Sequence, residues 1–258
     1  MSVIEALGIL LAGLGAGAIN TVVGSGTLIT FPTLLFFGFP PVVANVSNTV
    51  GLVAGGITGV HGYRHELKGA GPTLKRLAPA SLVGGVIGAV LLLVLPPEAF
   101  TAIVPVLIGI GLLLVLLGPW LNRRAAERRE RGVSAQVAWH GPVLVAGVLV
   151  GGIYGGYFGA AQGVILMGMM SALTTDPIQR LNGYKNVLAT IVNAVAAVTF
   201  MVVAWDQISW AAAGLIAIGA FAGGWVGGKI GRRLPPAVLR GVILVVGIVG
   251  IVKIIWFS

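Results

Sequence analysis

Two groups of small polar side chains interrupt an otherwise apolar chain, and they follow a similar order in its two halves. The first comprises Asn20, Thr21, Ser25 and Thr27 with Asn45, Ser47, Asn48 and Thr49; the second comprises Tyr154, Tyr157 and Gln162 with Asn182, Tyr184, Lys185 and Asn186. Each surrounds a glycine-rich break, Gly24-Ser25-Gly26 or Gly159-Ala160-Ala161-Gln162-Gly163. A helix restarting at Gly26 or Gly163 presents unpaired N–H groups and the positive end of its dipole, to which hydroxyls and amides add donors. Donors so arranged suit a small anion. Lys185 is either a counter-charge to that anion or a lysine that snorkels to the membrane surface and marks topology. For the glycines and small polar residues, the competing reading is close helix packing, their common use in membrane bundles.

Both breaks lie in runs without Lys, Arg, Asp or Glu, residues 3–37 apart from Glu5 and residues 140–175. A straight helix of about 35 residues would reach about 50 Å against a hydrocarbon thickness of roughly 30 Å. Each run must therefore fold back, either re-entering or crossing twice. Unwound backbone at that depth is tolerated only where protein or a cavity satisfies it. Around these runs lie six segments of spanning length, near 42–60, 77–95, 99–118, 186–204, 208–228 and 237–257.

Composition agrees: 57% hydrophobic residues, 9% charged residues, 41 glycines in 258 and a mean hydropathy of +1.02 exclude ordinary soluble usage. The first run is too long for the apolar part of a cleaved signal peptide and has no basic stretch before it. Cysteine is absent, which excludes disulfides, thiol catalysis and thiolate metal sites. His61, His65 and His140 lack metal-ligand spacing, so neither a metal nor another cofactor is expected. No nucleophile–base arrangement, phosphate loop or His-Glu-x-x-His string appears, and the expectation is a protein that is not an enzyme.

All Lys and Arg residues except Lys253 gather in four connections: Arg64 to Arg76, Arg123 to Arg131, Arg180 to Lys185 and Lys229 to Arg240. The turns at 38–41, 96–98 and 205–207 contain no Lys or Arg. The positive-inside rule places the four basic groups in the cytoplasm, which works only if each long run makes an even number of crossings. Both termini then lie outside, and the halves have opposite orientations. The expected fold is all-α and polytopic, built from two inverted-topology repeats, each a broken helical hairpin followed by three transmembrane helices. Residues 1–120 form the first repeat, 121–138 a basic cytoplasmic linker and 139–258 the second. At an offset of 137 residues, Gly15 falls on Gly152, Gly26 on Gly163, Pro40 on Pro177 and Asn45 on Asn182. The net charge of +9 is mostly a topology signal with attraction to lipid heads; nucleic acid is not an expected partner.

The strings Gly24-Ser25-Gly26-Thr27-Leu28-Ile29-Thr30-Phe31-Pro32, Gly38-Phe39-Pro40-Pro41 and Ala44-Asn45-Val46-Ser47-Asn48-Thr49 resemble the first half of the TauE/SafE sulfite exporter family. Gly62-Tyr63-Arg64-His65-Glu66-Leu67 resembles its cytoplasmic turn, and Lys185-Asn186, Asn193 and Gly223-Gly224-Trp225-Val226-Gly227-Gly228-Lys229 are similar to its second-half motifs. The resemblance spans nearly the whole chain. It implies an exporter in the inner (plasma) membrane for small sulfur-containing anions such as sulfite or organosulfonates, including sulfoacetate. Ser25, Asn45, Ser47, Asn48, Thr49, Lys185, Asn186 and Asn193 are the matching positions. The break at Ala160-Ala161-Gln162-Gly163 is less glycine-rich than that family's pattern, so Gln162 would supply a side chain where others offer backbone.

The full candidate substrate-binding set is Asn20, Gly24, Ser25, Gly26, Asn45, Ser47, Asn48, Thr49, Tyr157, Gln162, Gly163, Asn182, Lys185, Asn186 and Asn193. The expected partners are a small anionic substrate and the lipid bilayer, with oligomerisation left open. An anion channel and a carrier for a non-sulfur carboxylate remain as alternatives. No Asp or Glu lies inside a spanning segment, so a carboxylate relay for protons or sodium has no candidate.

Overall fold

Residues 1–130, 140–230 and 241–248 are described by the computed structural model. All of its regular elements are helical: α1 (Val3–Val22), α2 (Thr27–Phe36), α3 (Pro41–Gly62), α4 (Gly71–Val94), α5 (Pro97–Glu130), α6 (His140–Tyr157), α7 (Gln162–Leu173), α8 (Ile178–Val203), a 3-10 turn (Trp205–Gln207), α9 (Trp210–Ile230) and α10 (241–248). Six of the described helices, α1, α3, α4, α5, α8 and α9, are long and apolar enough to cross a membrane. This is a multi-pass membrane protein. The segment expected at 237–257 lies mostly outside the described residues, with α10 at its centre.

Local chemistry explains where the helices begin. Ser2 and Glu5 form a reciprocal cap on α1: the Glu5 amide donates to Ser2 Oγ at 3.2 Å and the Ser2 amide to Glu5 Oε2 at 2.8 Å. Pro41 and Pro97 are the first residues of α3 and α5, where a missing N–H costs nothing. Two expected boundaries move. Helix α8 begins eight residues before the expected segment at 186, and α5 runs through Trp120 to Glu130, so the start of the expected linker at 121–138 is helical. The rest of that linker falls outside the described residues.

Each long run is one long and one short limb. At 1.5 Å per residue, α2 and α7 reach about 15 and 18 Å, roughly half the hydrocarbon thickness. The short limbs cannot cross alone.

Long limb α1 packs on α9 and α3, while α6 packs on α4 and α8. Helix α3 also meets α9 and α8, and α4 meets α8. Small residues permit these approaches: a methyl group on Gly13 of α1 would stand 3.0 Å from Ile216 Cα of α9, and one on Gly85 of α4 would stand 3.2 Å from Val192 Cα of α8. Phe31, Phe100 and Phe158 pack edge to face, with centroids 5.1–6.3 Å apart, joining α2 and α5 to the second break.

Candidate functional site

At the first break, the N–H groups of Val23 and Gly24 both return to the Ile19 carbonyl, at 2.7 and 3.1 Å, and Gly24 takes φ +88°. At the second, the N–H groups of Phe158 and Gly159 both return to Tyr154, at 3.0 Å each, and Gly159 takes φ +76°. A left-handed glycine thus ends each long limb. The short limbs restart after Gly26 and Ala161.

These features correct the register read from the sequence. Gly24 and Gly159 match at a spacing of 135 residues, as do the helix starts Thr27 and Gln162, whereas Pro40 and Pro177 keep 137. Ala161, not Gly163, stands where Gly26 stands. Helix α7 has 12 residues against 10 in α2, and this two-residue insertion restores the later register.

The two breaks touch. The Gly163 amide donates to the Gly24 carbonyl at 3.1 Å, and a Cβ on Gly24 would lie 2.5 Å from Gly163 Cα. Only hydrogen fits between the two backbones. Gly24 is also beside Lys185, whose Cδ would be 3.2 Å from the same added methyl.

A helix end leaves carbonyls without partners, and here other helices supply them. Lys185 Nζ donates to the carbonyls of Asn20 and Thr21, at 3.2 and 3.0 Å, and Asn186 Nδ2 donates to Thr21 at 3.2 Å. Asn45 Nδ2 donates to the Tyr157 carbonyl at 2.9 Å. Thus α8 receives the end of α1, while α3 receives the end of α6. Lys185 is fully buried, seven residues into α8, or about 10 Å along its axis. That position does not fit a lysine snorkelling to the surface. Two of its three N–H donors serve carbonyls, and the negative end of the α1 dipole offsets only about half a charge.

The other candidates divide by partner. Asn48 of α3 holds the first turn of the short limb α2, accepting from Thr30 Oγ1 and donating to Thr27 Oγ1 at 3.2 Å. Asn20 Oδ1 accepts the Gly26 N–H at 3.5 Å. Thr49 Oγ1 turns back to the Asn45 carbonyl at 2.9 Å. Ser47 Oγ accepts the Ser209 N–H at 2.8 Å, so its hydroxyl holds the start of α9. Asn193 is half-buried, seven residues beyond Asn186 on α8, about 10 Å along the axis. Gly24, Gly26, Gly163, Lys185 and Asn186 therefore gather at the meeting of the breaks, whereas Ser47 and Asn193 do not join them.

Several buried polar atoms have no partner among the described residues: Ser25 Oγ, Asn45 Oδ1, Tyr157 OH, Gln162 Nε2 and Asn182 Oδ1. Buried polar groups carry a desolvation cost unless satisfied; these five come from the two polar groups that the sequence singles out, whereas Ser81 Oγ, also without a partner among the described residues, lies outside them. Lys185 is the buried charged residue among those described. The arrangement offers hydroxyl and amide donors and an excess of positive charge, and among the described residues no carboxylate pairs with Lys185.

The backbone joint and the carbonyl partners of Asn45 and Lys185 were not read from the sequence. The matching order of polar groups in the two halves could have signalled them, since each polar helix start had to meet something. The aromatic cluster was also missed, although Phe31 and Phe158 each lie in or beside a break.

The profile of the family described as sulfite exporter TauE/SafE matches residues 9–254. The chain is 26% identical over 252 residues to the probable membrane transporter protein YfcA of Escherichia coli strain K12, covering 94% of this chain and 87% of that protein. It is 24% identical over 238 residues to the probable membrane transporter protein ORF9 of Sinorhizobium sp, covering 90% and 85%. No solved structure gives a significant match. The chain belongs to the TauE/SafE family, a family of membrane transporters rather than enzymes.

Proposed function

We propose that this TauE/SafE family member exports small sulfur-containing or organic anions, of the sulfite, sulfoacetate or other organosulfonate class. The substrate binds where the two breaks meet, between halves of inverted topology. The observation that carries this reading is the direct backbone contact of Gly24 and Gly163 beside the buried Lys185. Two helix starts and the Lys185 ammonium lie at the joint; the Gly26 and Gly163 amides, expected from the sequence to be unpaired, are taken by Asn20 Oδ1 and the Gly24 carbonyl, so the free donors flanking the joint in sequence are the Ser25 hydroxyl and the Gln162 amide. An anion there would balance a buried positive charge, which is otherwise costly.

The order of the elements supports opposite orientations of the halves. Each begins with a long and a short limb and continues into long helices, and each lends a side chain to the broken end of the other. The distribution of basic residues supports a cytoplasmic location for the connections after α3 and α9. A membrane potential negative inside favours anion exit by roughly 2.3 kcal/mol per charge per 100 mV, enough to drive export without a coupled ion.

Proteoliposomes loaded with sulfite, sulfoacetate or a carboxylate of similar size test the proposal under an imposed potential. Saturable, potential-driven efflux with counter-exchange is expected for the sulfur-containing anion. Flux that neither saturates nor exchanges would establish the channel instead, and flux of the carboxylate alone would overturn the substrate class.

A further inference from the structure

A second feature lies away from the breaks, in the groove between the ends of α3 and α9. A cavity of about 250 Å³ opens there. Thr58, Gly62 and Gly228 line its inner part, with His61, Arg64, Trp225 and Lys229 around them. The latter four are exposed, and among the described residues no Asp or Glu lines the cavity.

The two full cations are held in place. Lys229 Nζ lies 3.6 Å from the centroid of the Trp225 ring, while Arg64 Nη1 donates to the His61 carbonyl at 3.2 Å. Arg64 uses one of its five N–H donors in that bond. The carbonyl ends of α3 and α9 together offset about one of the two positive charges, leaving an excess for an anionic ligand.

The surface beyond the cavity indicates what that ligand carries. One turn before His61 on α3 is Ile57, 57% exposed; on α9, Phe221 and Trp225 precede Lys229 at successive turns and are 56% and 51% exposed. A basic groove with an apolar approach matches a phosphate headgroup with acyl chains. A soluble anion would use only the first. The groove is also lined separately from the candidate transport site, because Lys185 and the two breaks contribute nothing to it.

We propose that this groove binds the phosphate of an anionic membrane lipid, with Arg64 and Lys229 contacting the headgroup, His61 adding a polar contact and Trp225 lying along the lipid. The inference does not depend on the transported substrate.

Native mass spectrometry of the purified full chain would compare dioleoylphosphatidylglycerol with dioleoylphosphatidylcholine, with glycerol 3-phosphate as the chain-free arm. Wild type should prefer the anionic lipid and show no comparable binding of glycerol 3-phosphate. Arg64→Gln or Lys229→Gln should weaken phosphatidylglycerol binding about 5-fold, and the double variant about 30-fold. Arg124→Gln is the control, because Arg124 also lies over a tryptophan ring, Trp120, but outside the groove; it should retain the wild-type preference.

Equal binding of both lipids by wild type, a double variant that retains the preference, or an equal loss in Arg124→Gln would overturn the proposal. Comparable binding of glycerol 3-phosphate, lost in the same variants, would assign the groove to soluble anions and overturn the lipid reading. If the double variant fails to fold, the two single variants and the wild-type preference still decide. That preference must also fall at roughly 1 M salt, where the screening length is about 3 Å.

Discussion

Replacing Gly163 with alanine tests the joint between the breaks by the sign of its effect. In an open helix position the change stabilises by up to about 1 kcal/mol, because alanine is the better helix former. Gly163 lies in α7 without a positive φ, so its conformation suits alanine. At the joint, the new methyl would collide with the Gly24 Cα and lie 2.8 Å from the Gly24 carbonyl oxygen and 3.0 Å from the carbonyl carbon. Carbon contacts are normally about 3.5–4.0 Å, so the backbones must separate by roughly 1 Å. Overpacking of this kind costs about 1–3 kcal/mol, and weakening the Gly163–Gly24 hydrogen bond adds about 0.5–1.5 kcal/mol. After the gain in helix propensity, Gly163→Ala is expected to destabilise by about 1–3 kcal/mol. Gly214→Ala is the control, since its methyl meets nothing within 4 Å and should be neutral or stabilising. Thermal unfolding in detergent measures the difference, and efflux shows whether the joint matters to transport. If Gly163→Ala behaves like Gly214→Ala, the breaks do not meet as described.

Three further substitutions separate binding roles from structural ones. Ser25→Ala should leave apo stability unchanged or slightly higher, because its buried hydroxyl has no partner, yet reduce anion-induced stabilisation; unchanged anion binding would remove Ser25 from the site. Ser47→Ala should do the reverse, costing about 1 kcal/mol through the lost Ser209 bond while leaving anion affinity intact. Lys185→Met should abolish efflux with little net change in apo stability, since the Asn20 carbonyl loses its lysine donor at a cost of about 1–3 kcal/mol while the burial of an unbalanced charge is relieved; normal flux in a folded Lys185→Met protein would contradict the proposed site.

The membrane class and broken hairpins were legible because glycine breaks and apolar length obey fixed dimensions. Sequence identity misled where it rested on a single glycine: Gly26 and Gly163 align at 137, but the left-handed glycines and helix starts align at 135. Both registers place glycine near a break, and only the two extra residues in α7 distinguish them. Ser47 illustrates a second limit. Polarity near a break identifies a group that needs a partner, but it does not distinguish an anion from the backbone of a neighbouring helix. Lys185 was singled out by its place at the start of a spanning segment, while its burial and its attachment to α1 depended on a long-range approach that spacing within α8 could not reveal.

The packing also divides the helices differently from chain order. Helices α1, α3 and α9 form one mutually packed group, and α4, α6 and α8 form another; α3 and α8 meet between them. Each group mixes the first and second halves, so relative movement of these groups would carry each broken limb with helices from the other half. A chain without cysteine allows this to be tested by engineered disulfides. Within the first group, Cβ atoms of Thr21 and a substituted Gly59 would lie 3.6 Å apart; between groups, those of a substituted Gly56 and Thr190 would lie 3.2 Å apart. Disulfides need about 3.5–4.5 Å, so the first pair fits and the second requires a small shift. Oxidising Thr21→Cys/Gly59→Cys should leave efflux near that of its reduced form, whereas oxidising Gly56→Cys/Thr190→Cys should stop efflux and reduction should restore it. Full efflux through the oxidised Gly56→Cys/Thr190→Cys protein would show that the α3–α8 seam stays closed throughout transport, and the moving boundary would have to lie elsewhere.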